Sequence, residues 1–229
     1  MRGRGLFVSG TDTGVGKTTF SIGLVAALSA RGLRVAAMKP CETGDGDDAD
    51  RLRAATGSAL DRALSNPYRF PLPAAPEVAA RRAHAHIDLR RVVAAYRALA
   101  ADADWTIVEG AGGLLVPLTP RHTVADLIAR LALPLVLVAR TRLGTINHTL
   151  MSAEIARARG LRLVGVVFSR TERRAGPEER ETIDTIVRHG KLRSFGVLPF
   201  LRTRTPRALH AALQQNVELD ALLRAIDRT

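Results

Sequence analysis

Nine residues near the amino terminus, Gly10-Thr11-Asp12-Thr13-Gly14-Val15-Gly16-Lys17-Thr18, combine the types that hold phosphate. Glycines let backbone N–H groups curl around phosphate oxygens, and a following helix adds the positive end of its dipole. Lys17 would reach the β- and γ-phosphates, and the Thr18 hydroxyl would coordinate Mg²⁺. A strict G-x-x-x-x-G-K-[ST] loop has glycine where this chain has Thr11; its first glycine is Gly10. The other reading, an incidental glycine-rich turn, lacks force because an apolar strand precedes the loop and an amphipathic helix follows it.

Three further groups fall where strands should end. Lys39, in Met38-Lys39-Pro40, could stabilise a developing oxyanion, or be an ordinary solvated lysine. Asp45, Asp47, Asp48 and Asp50 follow in one acidic loop. One of them suits Mg²⁺, while others suit a helix start for purely structural reasons. Glu109 closes the apolar run Trp105–Val108 and precedes Gly110-Ala111-Gly112-Gly113, as a Walker B acid would. Those glycines let a substrate approach the backbone closely. The histidines show no metal spacing, and Cys41 has no histidine partner for nucleophilic chemistry.

The elements that would position these groups alternate along the chain. Apolar runs at Leu6–Ser9, Arg34–Met38, Trp105–Val108, Leu135–Ala139, Leu163–Phe168 and Phe195–Leu198 read as strands covered on both faces. Helices are expected at Lys17–Ala30, Asp47–Ala55, Leu89–Ala101, Val124–Arg130, Thr145–Arg159 and Glu178–His189, with one or two more between Pro206 and Ile226. Such alternation implies an α/β fold, a three-layer, mostly parallel twisted sheet with helices on both faces, like that of P-loop NTPases. In an open sheet of this kind ligands sit beyond the carboxyl ends of the strands, where Gly10, Lys39 and Glu109 would all lie. Residues 66–76 hold four of the eleven prolines and read as an extended excursion from one domain spanning 1–229.

Composition narrows the class. The 229 residues are 46% hydrophobic, enough for a sizeable core. One cysteine excludes an internal disulfide framework. No run approaches the ~18 apolar residues of a membrane span, and the short apolar run after Gly5 does not suit a signal peptide, so a cytoplasmic protein is expected. The formal charge of +12 invites a nucleic-acid reading, but 31 of the 34 basic residues are arginines, scattered along many segments. With aromatics at 4%, stacking platforms are scarce and no nucleic-acid partner is expected. Against that background, lysines kept at positions 17 and 39 point to function.

Taken together, these elements resemble the dethiobiotin synthetase family through most of the chain. Gly10–Thr18 is similar to its GTDTxVGKT loop, which shares the same departure from the strict pattern. Lys39-Pro40 with Thr43-Gly44, Asp48-Ala49 with Leu52, Asn66-Pro67-Tyr68 with Phe70, Glu109–Gly113, Leu143–His148 and Gly196–Leu201 are similar to further family segments. The Asp-Ala-x-x-Leu pattern selects Asp48 among the four aspartates.

The resemblance implies a homodimer that forms dethiobiotin from 7,8-diaminononanoate and CO₂ with MgATP as substrate. It implies catalytic roles for Lys39, Lys17 and Thr13, with Mg²⁺ on Thr18, Asp48 and Glu109. Nucleotide contacts are expected from Gly14, Val15, Gly16, Lys17, Thr18, Thr19, Asp48, Glu109, Gly110, Ala111, Gly112, Ser169 and Pro199. Substrate contacts are expected from Thr43, Gly113, Gly144, Thr145, Ile146 and Asn147, the last four supplied by the other subunit. Ser169 departs from the family's usual Asn, which reads the adenine edge; a serine cannot make that bidentate contact.

Two other classes compete. A partitioning-type switch ATPase would carry a second lysine before the loop's glycines, and here the segment reads Thr-Asp-Thr-Gly. A cobyrinate-type amidoligase often carries a glutaminase domain, for which 229 residues leave no room.

Overall fold

The computed structural model describes residues 4–227. Six strands form one parallel sheet: β1 (Arg4–Gly10), β2 (Val35–Met38), β5 (Trp105–Glu109), β8 (Leu135–Arg140), β9 (Leu163–Ser169) and β10 (Ser194–Leu198). Their order is β10-β9-β8-β1-β5-β2. All six expected strands are present, and β1 sits between β5 and β8, where the chain reverses its direction of travel across the sheet. That reversal opens a crevice at the carboxyl ends of β1, β5 and β8.

Alternation along β1 sends its side chains into two cores. Leu6 and Val8 pack with α1 (Lys17–Ser29), α2 (Asp48–Ala55), α9 (Pro206–Asn216) and α10 (Leu219–Asp227). Phe7 packs with α4 (Pro76–Arg82), α5 (Leu89–Ala101), α6 (Val124–Leu131), α7 (Thr145–Ala158) and α8 (Glu179–Gly190). Three layers result, with every sheet strand covered on both faces. Helix α1 is not the amphipathic helix expected after the loop but apolar nearly all round, because the sheet buries one side and α9 the other.

Helix starts follow side-chain chemistry. Asp88 accepts from the Arg90 N–H at 2.8 Å, and Thr205 accepts from the Ala208 N–H at 3.3 Å. Several helices start without a side-chain cap, among them α1, preceded by Gly16, α2, preceded by Asp47, and α7, preceded by Gly144.

Residues 66–76 are more ordered than an excursion loop. Strand β4 (Tyr68–Phe70) pairs in parallel with β3 (Cys41–Thr43), and Pro76 opens α4 at a first-turn position that needs no N–H. A short helix α3 (Arg62–Ser65) precedes β4. The hairpin of β6 (Pro117–Thr119) and β7 (His122–Thr123) also goes beyond the sequence reading. Three-residue strands are too short to show a period of two.

Burial separates structural from surface leucines. Leu28, near the end of α1, is fully buried, whereas Leu143 is 98% exposed. Leu28→Ala is expected to cost about 2–5 kcal/mol in urea denaturation.

Candidate active site

The carboxyl end of β1 feeds directly into the glycine-rich loop. The Gly10 N–H donates to the Gly112 carbonyl at 3.2 Å, and the Thr11 N–H to the Val138 carbonyl at 3.0 Å. The loop is thus tied to the segment after β5 on one side and to β8 on the other. Two glycines are required by contact. A Cβ on Gly10 would lie 2.9 Å from Lys17 Nζ and 2.7 Å from the Asp12 carbonyl oxygen. That close approach explains why glycine stands at position 10 although Thr11 occupies the usual glycine position. Gly16 has φ +101°, and a Cβ there would lie 2.8 Å from Ser169 Cβ.

Behind the loop lies a compact charge cluster. Lys39, just past β2, reaches Asp48 Oδ2 at 2.8 Å and Glu109 Oε1 at 2.9 Å. The Thr18 hydroxyl donates to the same Glu109 Oε1 at 2.8 Å. Glu109 is fully buried, and its Oε2 has no hydrogen-bond partner among the described residues. Lys17 is held over the loop by donating to the Asp12 carbonyl at 3.0 Å.

The backbone of Lys39 is fixed from the proline-rich segment. Its N–H donates to the Ser65 carbonyl at 2.8 Å, and Asn66 Nδ2 donates to the Lys39 carbonyl at 2.7 Å. The Asn66-Pro67-Tyr68 motif therefore positions a lysine 27 residues upstream.

Burial and charge pull the two lysines apart. Burial alone would lower Lys39, but the charges of Glu109 and Asp48 and the hydrogen bonds to them outweigh it and raise its pKa. Burial also lowers Lys17; the Lys39 charge adds to that, Glu109 and Asp48 oppose it, and the net is a depressed value. Asp48 resists protonation: burial would raise it, but the Lys39 charge and hydrogen bonds from Lys39 and Thr18 hold it below the ordinary value. The Lys39–Asp48 pair therefore stays ionised through neutral pH, and the Asp48 carboxylate is lost only as pH falls through its depressed value.

A cavity of about 280 Å³ opens onto this cluster. Of the expected residues, Thr13, Gly14, Gly16, Lys17, Thr18, Thr19, Lys39, Thr43, Asp48, Gly110, Ala111 and Gly112 line it. Glu109 lies beneath it, bonded to two of them. A neighbouring cavity of about 380 Å³ shares Thr13 and Gly112 and adds Gly113, His148 and Met151.

Other expectations fall elsewhere. Val15 is fully buried in the core with α1, so its side chain faces apolar neighbours rather than the cavity. Ser169, 3% exposed, packs at the end of β9 against Gly16. Neither Ser169 nor Pro199 lines either cavity. Gly144, Thr145, Ile146 and Asn147 line neither as well, and the Thr145 hydroxyl is committed to the Arg140 carbonyl at 2.6 Å. Glu42, Arg51 and Arg204 also line the phosphate-side cavity, unforeseen from sequence. Arg51 lies three residues after Asp48 on α2, a spacing that puts both on one helix face. A larger groove, about 1100 Å³, lies at the amino-terminal ends of β1 and β8 and contains none of the motif residues.

Sheet order, uncapped helix and phosphate loop define a nucleotide-binding P-loop α/β protein. Residues 4–208 match a family model described as an AAA domain. The fold is similar to that of the MinD cell division protein of Aquifex aeolicus, with a TM-score of 0.59 and 15% identity over 99% of this chain and 98% of that one. It is also similar to a ParA family ATPase from Chlorobium tepidum, with a TM-score of 0.56, 17% identity and coverage of 99% and 94%. At those identities the likeness concerns the fold alone. Sequence relatives are far nearer. The ATP-dependent dethiobiotin synthetase BioD of Anaeromyxobacter dehalogenans is 50% identical over 184 residues, 79% of this chain and 81% of that one. Its counterpart from Agrobacterium fabrum is 42% identical over 215 residues, 93% of each chain. The chain belongs to the dethiobiotin synthetase family of P-loop ligases.

Cys41 offers a probe of the enclosure. Burial pushes its thiol up to about 12; the Lys39 charge opposes this and Glu42 adds to it. Alkylation by iodoacetamide at pH 8 should run roughly three orders of magnitude slower in the folded protein than in the denatured chain, because only the thiolate reacts. The rate should climb as pH rises toward 12.

Proposed function

We propose that this chain closes the ureido ring of dethiobiotin from 7,8-diaminononanoate, CO₂ and MgATP. The observation that carries the reading is Lys39 at the phosphate cavity, joined to Asp48 and Glu109. A partitioning-type switch carries its second lysine within the phosphate loop, whereas Lys39 comes from the end of β2, where a ligase has anionic intermediates for it to balance.

The chemistry proceeds in three stages. One substrate amine adds to CO₂ and releases a proton, giving a carbamate. A carbamate oxygen attacks the γ-phosphorus in line and expels ADP, forming a carbamic–phosphoric mixed anhydride. The second amine attacks the carbonyl carbon, loses its proton and expels inorganic phosphate, closing the ring. Lys17 and the N–H groups at the start of α1 hold the triphosphate. Lys39 balances charge on the carbamate and transferring oxygens, and Thr13 and Thr43 hydrogen-bond to the same oxygens. Excluding water matters because the mixed anhydride hydrolyses.

Mg²⁺ would be held by the Thr18 hydroxyl, Asp48 and Glu109. Two features support the fit: the donors are all oxygens, and the buried Glu109 Oε2 is unpartnered among the described residues. When bound, the ion would neutralise phosphate charge in phosphoryl transfer. The Lys39 ammonium bridges the same two carboxylates, so these residues already accommodate a cation.

A homodimer would complete the site. Gly144 to Asn147 begin an uncapped helix that lines neither cavity of its own chain. The Thr145 N–H donates to the Arg142 carbonyl at 3.0 Å, and the next N–H groups at this helix start, presented by the partner subunit, suit the substrate's terminal carboxylate. Exposed Leu115, Leu143 and Met151 provide apolar surface near that segment. No helix among the described residues is long and apolar enough to cross a membrane, which accords with a cytoplasmic enzyme.

The test is phosphate release with MgATP and bicarbonate, with and without 7,8-diaminononanoate. Release should depend on the diamine, and Lys39→Ala should lose most of it while retaining nucleotide binding. With Ser169 in place of the family's usual Asn, CTP and GTP should support turnover within roughly tenfold of ATP. Release indifferent to the diamine but stimulated by DNA would replace this reading with a switch ATPase.

A further inference from the structure

The peptide that carries Asp48 is fastened from outside its own helix. Helix α2 starts at Asp48, and Asp47 before it makes no side-chain cap bond. First-turn N–H groups have no partner within a helix. The Ala49 N–H finds one in Glu42 Oε1, at 3.0 Å, from strand β3. Glu42 is buried, 3% exposed, and lines the phosphate-side cavity. Its Oε2 has no hydrogen-bond partner among the described residues and lies 3.4 Å from Arg69 NH1 in an ion pair. Arg69, on β4, also donates to Asp50 Oδ2 at 3.0 Å and to the Gly46 carbonyl at 2.6 Å.

A buried carboxylate is costly, and packing alone would be served by an apolar residue of the same size. Here the charge meets the positive end of α2 and its oxygen grips the peptide between Asp48 and Ala49. Arg69 fixes the other side of the carboxylate and both ends of the acidic loop. We infer that Glu42 is a positioning residue that sets the Asp48 carboxylate for a divalent cation at the nucleotide phosphates. The inference rests on the reading of Asp48 as a metal ligand. Outer partners of metal ligands typically change metal affinity or activity 10–100-fold when removed.

Calorimetric titration of Mg²⁺ into protein with ATP, without diamine, reads this independently of turnover. Three variants separate the roles. Glu42→Gln keeps an acceptor for the Ala49 N–H; Glu42→Met keeps the volume and removes both oxygens, so the fold should survive. Asp48→Ala removes the ligand itself. The Mg²⁺ concentration for half-maximal ATP binding should rise about tenfold or more in Glu42→Met and stay within about twofold in Glu42→Gln. Amide exchange at Ala49 should be protected in Glu42→Gln and fast in Glu42→Met. Two results would overturn the role of Glu42 while leaving Asp48 a ligand: an unmoved Mg²⁺ requirement in Glu42→Met beside a raised one in Asp48→Ala, or a Gln variant as impaired as Met. An unmoved requirement in Asp48→Ala would overturn the ligand reading and this inference with it.

Discussion

A single ammonium group, Lys39 Nζ, lies within hydrogen-bond distance of Asp48 and the fully buried Glu109. Two carboxylates this close, one without solvent, need a cation between them. The lysine supplies it, and the surrounding structure is arranged to hold the lysine there. Strand β2 delivers it, Ser65 and Asn66 pin its backbone, and β5 and α2 bring the two acids from opposite sides. A cluster so balanced is poised to exchange charge with phosphate and cation, because any anion arriving near Lys39 competes with carboxylates that a metal could take over.

The phosphate side depends on backbone rather than side chains. Helix α1 begins without a side-chain cap, so its first N–H groups remain for a ligand. Gly10 and Gly16 let the loop pass close to Lys17 and Ser169, and the bonds to Gly112 and Val138 tie it to both neighbouring strands. Parallel topology matters here: only an order that flanks β1 with β5 and β8 places Glu109 and the loop at one crevice.

Much of this was readable in the chain. Apolar runs with no polar alternation marked all six sheet strands, since a parallel sheet buried on both faces has no solvent side to record. Chemical residues at strand ends, Lys39 and Glu109, then fell at the crevice by topology alone. What stayed hidden depends on contacts distant in sequence. Glu42 looks like any residue of an acidic loop until β3 pairs with β4 and brings Arg69 beside it. Arg204 reaches the cavity from beyond β10, in a chain where arginine is everywhere and marks nothing. Val15 lies within a binding motif yet serves the core, because a loop leading into a buried helix must also anchor itself. Gly144 to Asn147 stand apart from the cavities of their own chain, which their place at a helix start did not reveal.

In the proposed ring closure a carbamate oxygen, rather than water, attacks the γ-phosphorus beside Lys39. Bicarbonate enriched in ¹⁸O, mixed freshly with enzyme, MgATP and diamine in unlabelled water, follows that oxygen. Transfer of one labelled oxygen from CO₂ into each inorganic phosphate is the predicted result, because the anhydride's bridging oxygen leaves with phosphorus when the ring closes. Unlabelled phosphate, its fourth oxygen taken from bulk water, would contradict it, showing that the cavity hydrolyses its nucleotide and that the buried lysine serves another purpose.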